Sequence, residues 1–295
     1  MTFLQVLGTL EISLIYMFVG LGVLLTFKVL NFSDLSVDGT FTLGAALSAW
    51  VTFHYDAPFL SLVISFLGGM GMGSLTALLH LRFAITPLMA GIIVMTGLYS
   101  LNMRIMGGPN ISILGRESLF STVEKLIPFP LGVKLAGVGL LLLGVFIFLY
   151  LFLRTRAGLG LRAVGDNKEC AMSQGIPLEF LTVLGVALSN GLVALGGALF
   201  LQTQGFADIN MGIGTIIVAL AGLMIGESFL FKQNLFLMLL SVCLGTFLYR
   251  CGVASALNLH ALALSASDVN LLTACFVAGA FAYSHRRERK RRGRC

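Results

Sequence analysis

Long apolar stretches that run almost without charge restrict this chain to a membrane-spanning, all-α architecture. A helix needs roughly 20 apolar residues to cross the hydrocarbon core of a bilayer. The chain offers about nine stretches of this kind, at residues 6–27, 36–53, 58–81, 87–106, 131–153, 178–201, 211–230, 234–250 and 268–284. Only 11% of its residues are charged, against about 25% in soluble domains. We therefore predict a polytopic integral membrane protein with about nine hydrophobic segments.

Two of these stretches are interrupted by polar and small residues. Residues 31–40 read Asn-Phe-Ser-Asp-Leu-Ser-Val-Asp-Gly-Thr, and residues 208–215 read Asp-Ile-Asn-Met-Gly-Ile-Gly-Thr. Non-helical backbone survives at membrane depth only where protein or a water-filled cavity satisfies its polar groups. We therefore expect broken or re-entrant segments at both places. Elsewhere, Gly69 and Gly73 have the spacing that lets two membrane helices approach closely.

A basic, small-residue segment at 154–177 separates the fifth and sixth stretches. Within it, Asp166 can cap the first amides of a helix, and Glu169 follows three residues later, as in a capping box. Gly175 can close the same helix before Pro177 forbids its continuation. This pattern predicts a cytoplasmic helix about 12 Å long between residues 166 and 175. A plain solvated loop helix is the alternative interpretation.

The distribution of cations predicts the orientation of the chain. If segment 154–177 is cytoplasmic and the stretches alternate, most of the 19 lysines and arginines fall on the cytoplasmic side. This asymmetry favours an external N-terminus and a cytoplasmic C-terminus. The cations then left outside are Arg104, Arg116, Lys125, Lys134 and Arg250.

The C-terminal residues 286–295 form a basic cytoplasmic tail beyond a single membrane domain at 1–285. In another context such a tail could contact nucleic acid, but directly after a span it is typical of an anchor on anionic lipid. We therefore expect membrane lipid, and no nucleic acid, as its partner.

Three groups of motifs carry a family resemblance. Segment 154–177 contains Arg-x-Arg-x-Gly at 154–158, Leu-Arg-Ala-Val-Gly-Asp-Asn at 161–167 and Gly-Ile at 175–176. The N-terminal region contains Leu-Ile-Tyr at 14–16 and Lys-Val-Leu-Asn-Phe at 28–32. Together they resemble permeases of ATP-binding-cassette importers of the branched-chain amino-acid and ribose type. The variant Asp-Leu-Ser-Val-Asp-Gly-Thr at 34–40 resembles the branch associated with aromatic or other amino acids.

The resemblance implies import of a small polar solute, such as an amino acid, across the bacterial plasma (inner) membrane by alternating access. ATP and magnesium would bind to separate ATPase subunits, and this chain would hold no cofactor of its own. A substrate-binding protein outside the membrane and a second copy of the permease, forming a homodimer, are the other implied partners. The residues expected to couple the chain to the ATPase are Arg154, Arg156, Arg162, Asp166, Asn167, Lys168, Glu169 and Gly175.

Motifs that the chain lacks support this division of labour. It has no G-x-x-x-x-G-K-[ST] phosphate loop, no G-x-S-x-G elbow and no H-E-x-x-H pair. The sequence therefore predicts a transport subunit that is no enzyme and holds no metal. An ion-coupled secondary transporter, which also uses broken helices and buried carboxylates, is the leading alternative. A membrane-embedded enzyme is a weaker one, because no His, Ser or paired-acid motif converges.

Polar side chains within or beside the apolar stretches are candidates for the substrate pathway. Asp38 can cap a half-helix or face the solute, and Asn190 can join helices by hydrogen bonding or line the path. Tyr16 can pack as an aromatic filler, and loop-end amides can be polar because they are wet. The pathway candidates are Tyr16, Asp34, Asp38, Thr40, Asn102, Asn190 and Gln202.

Overall fold

A computed structural model of the chain describes residues 3–116, 118–120, 130–229, 234–257 and 279. Most of this part is helical, as the composition predicts. The ninth predicted segment, apart from residue 279, lies outside the described residues, and so do Lys125 and the basic tail at 286–295.

Ten α-helices and one pair of short strands make up the described fold. The helices are α1 (Phe3–Val23), α2 (Val37–Tyr55), α3 (Pro58–Phe83), α4 (Pro87–Met106), α5 (Pro130–Phe152), α6 (Arg156–Asp166), α7 (Lys168–Ser173), α8 (Leu178–Gln204), α9 (Thr215–Phe229) and α10 (Leu235–Leu257). A π-helical turn, Leu24–Val29, continues α1. Strands β1 (Asn110–Ser112) and β2 (Phe206–Asp208) pair antiparallel, with Ile111 opposite Ala207. The sequence did not predict this strand pair.

Local sequence signals explain where several helices begin and end. Proline occupies the first turn of α3 and of α4, where its missing N–H costs no hydrogen bond. The Thr86 hydroxyl caps α4 by accepting a hydrogen bond from the Met89 amide at 3.4 Å. Asn31 has a φ of +53°, in the left-handed region, so the backbone turns away from the helical path directly after the π-helical turn.

Six helical segments within the described residues are long and apolar enough to cross a membrane. They are Gln5–Val29, Pro58–Phe83, Pro87–Met106, Lys134–Phe152, Leu178–Gln204 and Leu235–Ala256. The first eight predicted apolar stretches each coincide with a helix, but α2 and the 15-residue α9 fall short of this standard. The count of nine crossing segments is therefore not confirmed. Both shorter helices follow the two interruptions that the sequence predicts.

The core of the bundle is built from α1, α2 and α8, whose faces are mostly buried, while α3, α4 and α5 expose long apolar faces. Close approach of backbones makes this core dense. A Cβ at Gly44 of α2 would collide with the Ala194 carbonyl of α8. The predicted close packing at Gly69 and Gly73 is confirmed, since a Cβ at either position would also collide with the backbone of α8.

The bundle has two ends that differ in character. We call the end that carries α6 and α7 the coupling end. There the side-chain ammonium of Lys28, after α1, meets the carboxylate of Glu227, near the end of α9, at 2.9 Å. We call the opposite end, where β1 follows α4 and β2 follows α8, the hairpin end. These two ends give a frame for placing every candidate residue.

Candidate functional site

The coupling segment folds as two helices, whereas the sequence predicted one. The Thr155 hydroxyl accepts a hydrogen bond from the Gly158 amide at 3.3 Å and begins α6, which the sequence did not predict. The Asn167 side chain then accepts from the Cys170 amide at 3.0 Å and begins α7. Asp166 is the last residue of α6, so the prediction that it caps the second helix is wrong. Asp and Asn are equally good caps, which is why the local sequence could not choose.

The predicted closure of the second helix at Gly175 is confirmed. Gly175 has a φ of +73°, and its amide donates to the Met172 carbonyl at 3.0 Å. The Ile176 amide donates to the Ala171 carbonyl at 3.1 Å, which completes a Schellman-type ending. Residues 174–177 then connect α7 to α8, which begins at Leu178.

Helix α6 is seated firmly on the bundle, while α7 projects from it. Gly158, Leu161 and Val164 are the buried face of α6. A Cβ at Gly165 would collide with the Val29 carbonyl at the end of α1, so only glycine allows this approach. In α7 only Ala171 is buried. The exposed residues of the coupling segment include the predicted coupling residues Arg154, Arg156, Arg162, Asp166, Asn167, Lys168, Glu169 and Gly175.

Two clefts flank the coupling segment. One, of about 560 Å³, lies between α6 and the start of α10 and is lined by Arg154, Arg162 and Phe236 among others. Arg154 lies over the ring of Tyr150, with its guanidinium carbon 5.5 Å from the ring centroid. The second, of about 780 Å³, lies between the end of α3 and the start of α8, with Met172 and Phe180 on its wall. The exposed helix α7 thus stands beside an apolar groove.

A buried polar junction ties the first interruption to α8. The Asn190 amide nitrogen donates to an Asp34 carboxylate oxygen at 2.6 Å, and the Ser36 hydroxyl donates to the Asn190 carbonyl oxygen at 3.2 Å. The Ser36 backbone amide donates to the other Asp34 oxygen at 2.8 Å. All three side chains are fully buried. Asn190 lies near the middle of α8, so its hydrogen bonds hold the broken segment at mid-bundle depth.

Asp38 joins the two interrupted segments to each other. One carboxylate oxygen accepts from the Thr215 hydroxyl at 2.8 Å and from the Ile216 amide at 2.9 Å. The other accepts from the Gly214 amide at 3.0 Å. Asp38 therefore caps α9, and the prediction that it caps its own half-helix is wrong: the cap position of α2 is Ser36, which makes no side-chain cap hydrogen bond. The Thr40 hydroxyl donates to the Ser36 carbonyl at 2.9 Å.

The two amide candidates at the ends of helices hold the fold together. Gln202 donates to the hydroxyls of Ser48, Thr52 and Ser61 at 3.1–3.3 Å, and its carbonyl oxygen accepts from the Leu119 amide at 3.0 Å. Its polar atoms are thus occupied by neighbouring helices. Asn102 donates to the Gly39 carbonyl at 3.1 Å, but its own carbonyl oxygen is buried without a hydrogen-bond partner.

An arginine that the sequence placed in an outer loop lies inside a helix. Helix α10 runs seven residues beyond the predicted segment end at 250, so Arg250 is part of it. Its guanidinium carbon lies 3.5 Å from the centroid of the Tyr16 ring. Tyr16 in turn packs against Phe41 of α2, with ring centroids 5.7 Å apart. The available signal is Arg250 itself, a cation beside an apolar stretch, but a cation at that position equally predicts the end of a span.

Within the described part of the chain, no group of three or more His, Cys, Asp or Glu side chains could hold a metal ion. The polar residues at the centre are instead paired with one another or with backbone. Their geometry suits a structural frame, because the hydrogen bonds of Asp34, Asp38 and Asn190 join α2, α8 and α9.

Over residues 5–278 the chain matches the protein family described as "Branched-chain amino acid transport system / permease component". The chain belongs to this permease family. The permease is 36% identical over 275 residues to a "Tyrosine transport system permease protein" of Clostridioides difficile, and the match covers 92% of this chain and 88% of that protein. It is 37% identical over 235 residues to an uncharacterized protein of Rickettsia prowazekii, a match that covers 77% of this chain and 78% of that one. No solved structure matches the permease significantly.

Family membership confirms the resemblance that the sequence motifs predict, and with it a transport permease that passes through the membrane several times. It assigns no role to single residues. The roles of the eight coupling residues and the seven pathway candidates therefore stay predictions, now with a defined geometry for each.

Proposed function

We propose that the permease is the membrane-spanning subunit of an ATP-binding-cassette importer that carries an amino acid. The observation that carries this proposal is the pair α6 and α7, a seated helix followed by a projecting one. An exposed helix with only Ala171 buried has a surface to offer to another subunit. The chain has no phosphate loop, so the energy of ATP hydrolysis must come from such a subunit.

A continuous set of contacts leads from α7 to the middle of the bundle. Helix α6 touches the end of α1 at Val29, and Lys28 beside it pairs with Glu227 of α9. The other end of α9 is held by Asp38 of α2. A push on α7 would therefore shift α9 and the broken segment before α2 together. We propose this shift as the basis of alternating access.

The solute that we propose is an amino acid, with aromatic ones such as tyrosine as the first candidates. The family description and the name of the Clostridioides difficile relative support this choice. We propose three kinds of partner: ATPase subunits, which bind ATP and magnesium, at the coupling end; a substrate-binding protein at the hairpin end; and a second permease copy. The proposed location is the bacterial plasma membrane, with the N-terminus outside and the C-terminus in the cytoplasm.

The test is reconstitution of the permease with the ATPase that copurifies with it in mild detergent, and with its binding protein. We expect uptake of radiolabelled tyrosine to require ATP and to persist without ion gradients. The variant Lys168→Glu on α7 should lose uptake and binding-protein-stimulated ATP hydrolysis while it still inserts and folds. Lys168→Arg keeps the positive charge at the same exposed position and is the matched control, which should keep both activities.

Two results would overturn the proposal. One is copurification of no ATPase; the other is uptake by the permease alone that follows a proton or sodium gradient, which is the behaviour of a secondary transporter. Unchanged uptake and ATP hydrolysis in Lys168→Glu would separately refute the role of α7.

A further inference from the structure

Arg250 is a cation deep in a membrane-spanning helix. It lies 15 residues after Leu235, the first residue of α10 at the coupling end. At 1.5 Å per residue this is about 22 Å along the helix, within the roughly 30 Å of hydrocarbon. A charge at such depth is expensive, and it persists where it faces protein or a water-filled path that uses it.

The surroundings of Arg250 position its guanidinium against an aromatic ring and leave its Nε atom without a hydrogen-bond partner. Among the residues that the structure describes, no carboxylate forms an ion pair with it. Its Nε atom is buried and has no hydrogen-bond partner. Asp34 and Asp38, the two buried carboxylates among the described residues, are engaged with Asn190 and with the start of α9. What holds Arg250 is the face of the Tyr16 ring, at 3.5 Å.

A guanidinium stacked on an aromatic ring keeps its N–H groups in its own plane, parallel to the ring and directed outward. That arrangement fits one kind of ligand especially well, a carboxylate that accepts two parallel hydrogen bonds. Tyr16 also packs against Phe41, which itself packs against Phe200 with ring centroids 6.0 Å apart. Tyr16, Phe41 and Phe200 therefore form an apolar aromatic cluster beside the guanidinium.

Phe41 lies three residues after Asp38, the carboxylate that connects both interrupted segments. Arg250 is thus connected, through the rings of Tyr16 and Phe41, to the part of the bundle that would move during transport. We propose that Arg250, positioned by Tyr16, binds the carboxylate of the solute during its passage. This inference rests on the proposed function, since it names the contact that an amino acid would make in the path.

Binding to the permease–ATPase complex in nanodiscs, without the substrate-binding protein, tests the proposal. The probe is radiolabelled tyrosine, with tyrosinamide as a competitor that keeps the amine and ring but lacks the carboxylate. For the wild type we expect tyrosine to compete at least tenfold better than tyrosinamide. In Arg250→Gln we expect tyrosine binding to weaken about 10- to 100-fold, and the preference for tyrosine over tyrosinamide to disappear.

Further variants separate binding from folding. Arg250→Lys keeps the charge but not the bidentate hydrogen-bond geometry, so part of the preference for tyrosine over tyrosinamide should remain. Tyr16→Phe keeps the ring face and should bind tyrosine like the wild type, whereas Tyr16→Leu should weaken binding. Arg104→Gln, an exposed arginine at the hairpin end, is the matched control and should change nothing.

The inference and the proposed function fail in different ways. Absence of ATP-driven tyrosine uptake by the wild-type complex would count against the function. If wild-type uptake is present but Arg250→Gln keeps an affinity within twofold and the same preference for the carboxylate, Arg250 does not bind the solute. If Arg250→Gln does not fold, the same preference measured in Arg250→Lys and Tyr16→Leu decides, and an unchanged preference in both refutes the inference.

Discussion

Removal of the Asp38 carboxylate should destabilise the permease strongly. In Asp38→Ala the Gly214 and Ile216 amides and the Thr215 hydroxyl lose their acceptor inside the bundle. A buried donor left without a partner costs about 1–3 kcal/mol, so the two amides alone suggest a loss of roughly 2–6 kcal/mol in the free energy of unfolding. Asp38→Asn keeps the shape and one acceptor oxygen, and should lose roughly half of that amount.

The assay is thermal unfolding in detergent, and the readout is the reactivity of the buried thiol of Cys243. At roughly 2–4 °C per kcal/mol for chains of 150–250 residues, a loss of about 4 kcal/mol lowers Tm by roughly 8–16 °C. Asp208→Ala is the matched control, because Asp208 accepts from the Asn210 amide at an exposed turn. It should change Tm by only a few degrees. A Tm for Asp38→Ala equal to that of the control would refute the role of Asp38 as the link between the broken segments.

Three other changes test separate parts of the structure. Gly69→Ala pushes a methyl group into the α8 backbone and should lower Tm and yield. Gly71→Ala on the same helix meets open space and should be neutral or slightly stabilising. Thermal unfolding of the two variants in detergent tests this difference. Lys28→Glu and Glu227→Lys should each reduce ATP-driven uptake, and the double variant should recover it. Tm should change little, because the ion pair is partly exposed. No recovery of uptake in the double variant would exclude a functional role of this ion pair. Asn167→Ala removes the cap of α7 and should lower the stability of that helix by about 1 kcal/mol. Reduced stimulation of the ATPase with an unchanged Tm of the whole permease would show that the effect is confined to α7.

Much of the fold could be predicted because its causes are local. Apolar stretches, prolines at helix starts and the two polar interruptions all act within a few residues of where they appear. The ending at Gly175 is of the same kind, since it needs only a residue that tolerates positive φ. Apart from the end of α10, these features therefore lie within a few residues of their predicted positions.

The remainder depends on partners distant in the chain. Helix α6 contains three glycines, which argue against a helix locally, yet Gly158 and Gly165 let it lie on the backbone of other elements. Asp38 looks like a cap for its own helix until the start of α9, 177 residues further along the chain, is brought beside it. Arg250 looks like a loop cation because a span is expected to end at its first charge. In each case a contact with a residue distant in the chain determines the local structure or the role of the side chain, and the neighbouring sequence does not contain that information.

The strand pair at the hairpin end bears on how the bundle can move. Backbone hydrogen bonds between residues 110–112 and 206–208 fasten the tips of α4 and α8 together, and Gln202 adds side-chain ties to α2 and α3 just below them. Helix ends that are hydrogen-bonded to each other in this way cannot separate far, so we expect them to act as the pivot when α4 and α8 rotate. A small rotation about that pivot is magnified along the roughly 40 Å length of the 27-residue α8, and the widest swing then falls at the opposite face.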